Sequence, residues 1–262
     1  MTDTHTHLYL PEFDADREET IHRAFEAGIQ AMIMPNVNTD TAYPLRSIRE
    51  RYPDKVFTAW GLHPTSVDEL WHDKTNRLLS ALDEPGCVAV GEIGIDLYWD
   101  STYRDQQKDC FRVQLLEASR RDLPVIIHCR NALQETLEVI DSLHTPLPGM
   151  VFHSFTGCPE DVARILDIAP HAFFGINGVV TFKNAHDLHH AVPVIGIQKI
   201  VLETDSPYLA PSPHRGKRNE SAYIVNIRDK VADLIGITPE ETERITDLNA
   251  RKLFPGIILS QP

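Results

Sequence analysis

Eight short runs of apolar and β-branched residues recur along this chain, separated by stretches with helical periodicity, and no other feature restricts the fold as strongly. The runs fall at 2–5, 30–35, 56–62, 88–94, 124–128, 150–153, 172–175 and 200–203. Between the first two, residues 17–27 carry Ile21, Phe25 and Ile29 at i, i+4 and i+8, with Asp16 as N-cap. Longer helical stretches are expected at 105–121 and 223–235, and Thr238, Pro239 and Glu241 form a capping box that starts a C-terminal helix. Such alternation predicts an α/β fold with a parallel sheet. Eight units in 262 residues suit one (β/α)8 TIM barrel, distorted or regular, as a single domain over 1–262. An open doubly wound sheet has the same local pattern, and strand counting does not separate the two.

Composition removes several classes. Apolar residues make up 42% of the chain, yet no run approaches the roughly 18 to 20 residues of a membrane span. No secretory leader pattern opens the sequence, so the expected location is cytoplasmic. Cys87, Cys110, Cys129 and Cys158 contain no CxxC pair and read as reduced, mostly buried thiols. A formal charge of −13 argues against a broad basic face for duplex nucleic acid, while leaving room for a small basic pocket or for bound cations.

Metal-type side chains sit where the apolar runs end. His5 ends the first and His7 follows two residues on, Glu92 lies in VAVGEIGID, His128 ends PVIIH, His153 ends GMVFH, and Asp205 ends KIVLETD. Residues i and i+2 of a strand share a face, so His5 and His7 can address one metal from one segment. In a parallel barrel the C-terminal strand ends share the rim that carries active sites. Four imidazoles and two carboxylates suit Zn²⁺, Mn²⁺ or Mg²⁺, and the number of donors suits two ions sharing a carboxylate.

Ordered motifs along nearly the whole chain carry a family resemblance: DTHTHL, GLHP, VGEIGID, PVIIHCR, HSFTG, LETDSPYLAP, PHRGKRNE and NARKLF. With them the chain resembles the TatD family of metal-dependent deoxyribonucleases, within the amidohydrolase-like barrels. The resemblance implies the barrel, phosphodiester cleavage of DNA, one ion on His5, His7 and Asp205, a second on His128 and His153, and Glu92 bridging them. Thr6, Thr65, Asn131 and Ser221 stand where the family commonly has Cys, His, Asp and Pro, and none of these departures removes a ligand.

The neighbours of the ligands are weighed individually. Glu203 reads either as a strand-end surface charge or as a carboxylate that orients a ligand imidazole from behind. His63 is read as a substrate-phosphate contact in preference to a packing residue, and Arg130, directly after HC, as a fork onto phosphate in preference to a structural ion pair. His214, Arg215, Lys217 and Arg218 form a local basic cluster, a solvated loop or a guide for a strand, with Arg215 the favoured substrate contact. Trp60, Trp71 and Trp99 are read as core in preference to base-stacking platforms, with Trp99, shortly after EIGID, as the candidate to line the mouth of the site. His22, His144, His171, His186, His189 and His190 lack partners at ligand spacing and read as surface or packing residues. The function expected is hydrolysis of DNA, from single-stranded 3′ ends, with Glu92 and Asp205 catalytic and no obligate protein or membrane partner. The rival readings are the same metals acting on an ester of misacylated tRNA or on a cyclic amide, and a non-catalytic binding module.

Overall fold

A computed structural model describes residues 1–143, 145–146 and 149–257. Eight strands run in chain order around one sheet: β1 Thr2–Asp3, β2 Ala31–Pro35, β3 Val56–Trp60, β4 Cys87–Asp96, β5 Val125–Arg130, β6 Met150–Phe152, β7 Phe173–Ile176 and β8 Ile200–Leu202. Each neighbouring pair is parallel. The sheet closes where the amide of Thr4 donates to the Leu202 carbonyl at 3.1 Å, and Thr6 forms a parallel bridge with Ser206. The expected barrel is therefore the fold, and the open-sheet alternative falls.

Helices α1 Arg17–Glu26, α2 Ala42–Arg51, α3 Trp71–Leu79, α4 Arg104–Arg121, α5 Leu133–Asp141, α6 Pro159–Ile168, α7 His186–Ile195 and α8 Ile224–Ile235 alternate with the strands, and α9 Pro239–Leu253 ends the series. At α9, Thr238 Oγ1 accepts from the Glu241 amide at 3.2 Å, so the expected N-cap is present. At α1 the expected cap fails: Asp16 makes no cap bond, because Arg218 claims its carboxylate at 2.6 and 2.8 Å.

Two apolar layers follow from the period of two along each strand. Met34, Trp60, Val90, Ile127, Phe152, Phe174 and Leu202 point outward and pack with helix residues such as Leu45, Leu78, Phe111, Leu137 and Ile165. Ala31, Ile33, Phe57, Ala59, Ala89, Ile126, Val151, Phe173 and Val201 fill the barrel interior together with Ala250, Leu253, Phe254 and Ile257 from the end of α9 and just beyond it. The chain past α9 thus plugs the end of the barrel where the strands begin. Asn249 fixes that plug by donating to the carbonyls of Ile197 and Ile200, both at 2.7 Å.

Strand β4 departs from strict alternation in a way that matters for the site. Ala89 and Gly91 face inward and Val90 outward, so a regular strand would turn Glu92 toward the helices. The register against β5 shifts between Val90 and Ile93, which sends Ile93 and Ile95 outward and brings Glu92 and Asp96 inside.

Candidate metal centre

Above the apolar layer, the inward stripe of each strand changes character within two residues. Ile126 is followed by His128, Val151 by His153, Val201 by Glu203 and Asp205, and Asp3 by His5 and His7. All lie at or just past the C-terminal ends of their strands. His5 Nε2 and His7 Nε2 are 3.1 Å apart, and Glu92 Oε2 lies 3.2 Å from the first. Asp205 Oδ1 lies 3.4 Å from His7 Nε2 and 3.8 Å from His153 Nε2, while Glu92 Oε1 lies 2.8 Å from His128 Nδ1 and 3.7 Å from His153 Nε2. One carboxylate thus faces these imidazoles from three strands. Asp205 reaches its place with a left-handed φ of 56°, uncommon outside glycine but accessible to Asp.

Groups behind the rings decide which nitrogen presents a lone pair. Tyr9 donates its hydroxyl to the Pro35 carbonyl at 2.6 Å, so its oxygen accepts from His7 Nδ1 at 2.7 Å and leaves Nε2 unprotonated toward the cluster. Asp96 Oδ2 accepts from His128 Nε2 at 2.8 Å while Nδ1 lies 2.8 Å from Glu92 Oε1; burial opposes a charged ring, yet these two carboxylates push its pKa up. Glu203 Oε1 stands 2.9 Å from His153 Nδ1, off the line of its N–H, and also accepts from the Ser154 amide at 2.6 Å. His63 is wired the other way: the Thr65 amide donates to its Nδ1 at 3.2 Å, so Nε2 carries the proton and sits between His128 Nδ1 at 3.2 Å and Glu92 Oε1 at 3.3 Å. His63 therefore enters the cluster as a hydrogen-bond donor.

Electrostatics agree with a site built around added positive charge. Burial, helped by the nearby His153, pulls His5 down to about 4, so that it is a neutral donor. Burial opposes ionisation of Glu92, yet His63, His153 and His5 outweigh it and hold the carboxyl well below its usual range; His153 and His7 do the same for Asp205. Burial also opposes a charged His153, but Glu203, Glu92 and Asp205 push it up to about 10. Among the described residues, buried His5 Nδ1 has no hydrogen-bond partner. A neutral buried imidazole at His5, the lone pair of His7 Nε2, and two ionised carboxylates beside His128 and His153, whose ring protons a bound cation would displace, are the donor set of a divalent-cation site. Three overlapping groups have the spacing to hold an ion: His5, His153 and Asp205; His5, His7 and Glu92; and His63, Glu92 and His128.

The remaining expected residues divide. Glu203 is 1% exposed, which removes the surface-charge reading and leaves it against His153. Gly175 makes that possible, since a Cβ there would come within 2.1 Å of the Glu203 carboxylate. Arg130 and Arg215 do not join the cluster; their guanidinium carbons lie 3.9 Å above the Tyr98 ring and 3.5 Å above the Phe182 ring. Arg218 is engaged with Asp16 and lies over Phe13, so it braces the 213–220 loop against α1. Trp60 and Trp71 are core, whereas Trp99 is 68% exposed. His144 lies outside the described residues. Sequence reasoning missed Tyr9, Thr65 and Asp96 as groups that set the imidazole tautomers. Tyr9 was detectable, because HTHLY places it on the face of His5 and His7; Asp96 was hidden by the register shift.

A family model described as TatD related DNase matches residues 2–255. A 3'-5' ssDNA/RNA exonuclease TatD from Erwinia billingiae is 35% identical over 260 residues, covering 97% of this chain and 98% of that protein. An uncharacterized metal-dependent hydrolase, YabD, from Bacillus subtilis is 33% identical over 254 residues, with 97% and 98% covered. The solved structure of YjjV, a TatD homolog from Escherichia coli, superposes with a TM-score of 0.86 at 26% identity, covering 97% of this chain and 98% of that one.

Proposed function

This chain belongs to the TatD family of metal-dependent deoxyribonucleases, and from that membership we propose that it removes nucleotides from the 3′ ends of single-stranded DNA. The observation that carries the reading is the convergence of His5, His7, His128, His153, Glu92 and Asp205 on the rim. His5, His7 and Asp205 would hold one ion, His128 and His153 a second, and Glu92 would bridge them; Mg²⁺, Mn²⁺ and Zn²⁺ all suit these donors. Two such ions supply Lewis-acid charge at a phosphoryl group and lower the pKa of water.

The protein's own groups then have separate tasks. Asp205, held ionised, would take a proton from the attacking water as the new P–O bond forms. The P–O3′ bond to the preceding nucleotide breaks, its 3′ oxygen leaves with a proton from solvent, and a nucleoside 5′-monophosphate is released. His63 Nε2–H is aimed to hydrogen-bond a non-bridging oxygen, and Arg130 is free to fork onto a neighbouring phosphate. Glu203, Asp96 and Tyr9 keep the rings turned. Arg215 extends the rim on the side of β7 and β8 as a further substrate contact. A cytoplasmic location suits the four free thiols; among the described residues no helix is long and apolar enough to cross a membrane.

The test uses a 5′-labelled single-stranded oligonucleotide, an aminoacyl-tRNA and a dihydropyrimidine under one metal condition. The reading expects the oligonucleotide to be shortened from its 3′ end, with loss in chelator and recovery on adding metal. Cleavage at the same rate without metal, or turnover of only one of the other two substrates, contradicts it.

A further inference from the structure

We propose that Trp99, held by Tyr98 packed edge-on beside it and by Arg130 over the Tyr98 ring, forms a stacking platform for one unpaired nucleobase of the substrate strand, with Arg130 taking the adjoining phosphate. The proposal rests on the phosphodiesterase reading of the rim and adds the subsite through which the strand is held.

Large aromatic rings normally finish in the core, as Trp60 does at 0% exposure and Trp71 at 6%. Tyr98 and Trp99 are adjacent and remain 52% and 68% exposed. Their ring centroids are 5.0 Å apart with planes at 85°, so the indole stands clear of the phenol. This exposure is held in place: Asp96 Oδ1 accepts from the Tyr98 and Trp99 amides at 2.9 and 3.1 Å, and the Asp96 amide is tied to Gln107 Oε1 at 2.8 Å. The other oxygen of the same carboxylate receives His128 Nε2. A single side chain therefore positions both the aromatic pair and a ring of the metal cluster, and fixes one relative to the other.

Arg130 completes the arrangement from β5, two residues beyond His128. Its guanidinium carbon lies 3.9 Å from the Tyr98 centroid and 5.2 Å from that of Trp99, and among the described residues it forms no ion pair with a carboxylate. In a chain of net charge −13, where Arg23, Arg46, Arg121 and Arg218 are all paired with acids, an unpaired guanidinium on the rim is suited to an anion brought by a ligand. A ring face beside a free guanidinium complements the base and phosphate of one nucleotide. Bases within a duplex are already stacked, so the platform selects an unpaired strand.

Trp99 alone of the three tryptophans is exposed, so the quenching that wild type shows and Trp99→Phe lacks reports the platform. Metal-loaded protein is titrated with a single-stranded oligonucleotide capped by a 3′ phosphorothioate, and with the same strand carrying abasic sugars at its 3′ end. The expected result is quenching by the first and little by the second. In steady-state cleavage Trp99→Ala should raise KM about ten-fold with kcat little changed, Trp99→Phe should restore most of the loss, and the difference should shrink on an abasic-ended strand. Equal KM for Trp99→Ala and wild type on a normal strand, or equal quenching by the abasic strand, overturns the platform while cleavage by wild type upholds the phosphodiesterase. Quenching that needs the base, in a protein that cleaves no oligonucleotide, upholds the platform and overturns the phosphodiesterase. With neither quenching nor cleavage, both fall.

Discussion

His7 and His63 show how one hydrogen bond behind an imidazole assigns its task. A phenol oxygen behind His7 leaves a lone pair for a cation, and an amide N–H behind His63 leaves a proton for an anion. Tyr9→Phe removes the acceptor behind His7 while keeping the ring in the core. Metal affinity, read by competition with a chromophoric chelator, should fall about ten-fold; unchanged affinity would show that the phenol does not orient the ring. Two departures from the family pattern meet at the barrel seam: Thr6 Oγ1 lies 2.6 Å from Ser206 Oγ and accepts from Ser221 Oγ at 3.3 Å. Thr6→Val leaves these buried hydroxyls short of a partner and should cost about 1 to 3 kcal/mol in urea unfolding, with metal content retained. A variant as stable as wild type would mean that the seam is held by its backbone bonds alone.

At the scale of elements, the loop after β8 and the plug after α9 act on opposite ends of the barrel. Arg218 ties the loop to Asp16 at the start of α1, and Arg23 joins the same carboxylate at 3.3 Å while also pairing with Glu220. Hydrogen bonding from Arg218, reinforced by Arg23, holds the Asp16 carboxyl below its ordinary value of 3.8. A depressed acid stabilises the fold fully above its unfolded pKa and loses that contribution as pH falls through the lower folded value. The gap in unfolding midpoint between wild type and Asp16→Asn should therefore be widest near neutrality and close progressively below about pH 4. A gap independent of pH would remove the ion pair as its cause. The plug rests on Phe254, fully buried among the first interior layer. Phe254→Ala should cost about 3 to 5 kcal/mol in unfolding by urea and leave metal bound per folded molecule unchanged, since the ligands occupy the other end. A loss of metal without a loss of stability would contradict that separation.

Across the whole molecule, the barrel was readable because alternation of strands and helices is a repeated signal, and errors of two or three residues at each strand end leave the order intact. The convergence of His5, His7, His128, His153 and Asp205 was readable because each continues the inward stripe of a regular strand. Glu92 was found through its motif alone, since only the register shift of β4 turns it inward. Asp16 misled as a helix cap because its partner, Arg218, lies 202 residues away, and Trp99 misled because composition favours burial of indoles. Tertiary pairing and exposure are set by neighbours distant in sequence, which local pattern does not carry. The central claim is that the rim holds two divalent ions with Glu92 between them. Measuring the metal content per chain of wild type and Glu92→Ala, after dialysis against a fixed low concentration of free metal, tests it most directly. The account predicts two ions in the wild type and loss of at least one in the variant, with circular dichroism unchanged. Equal metal content in both proteins, or none in the wild type under any of Mg²⁺, Mn²⁺ and Zn²⁺, would contradict it.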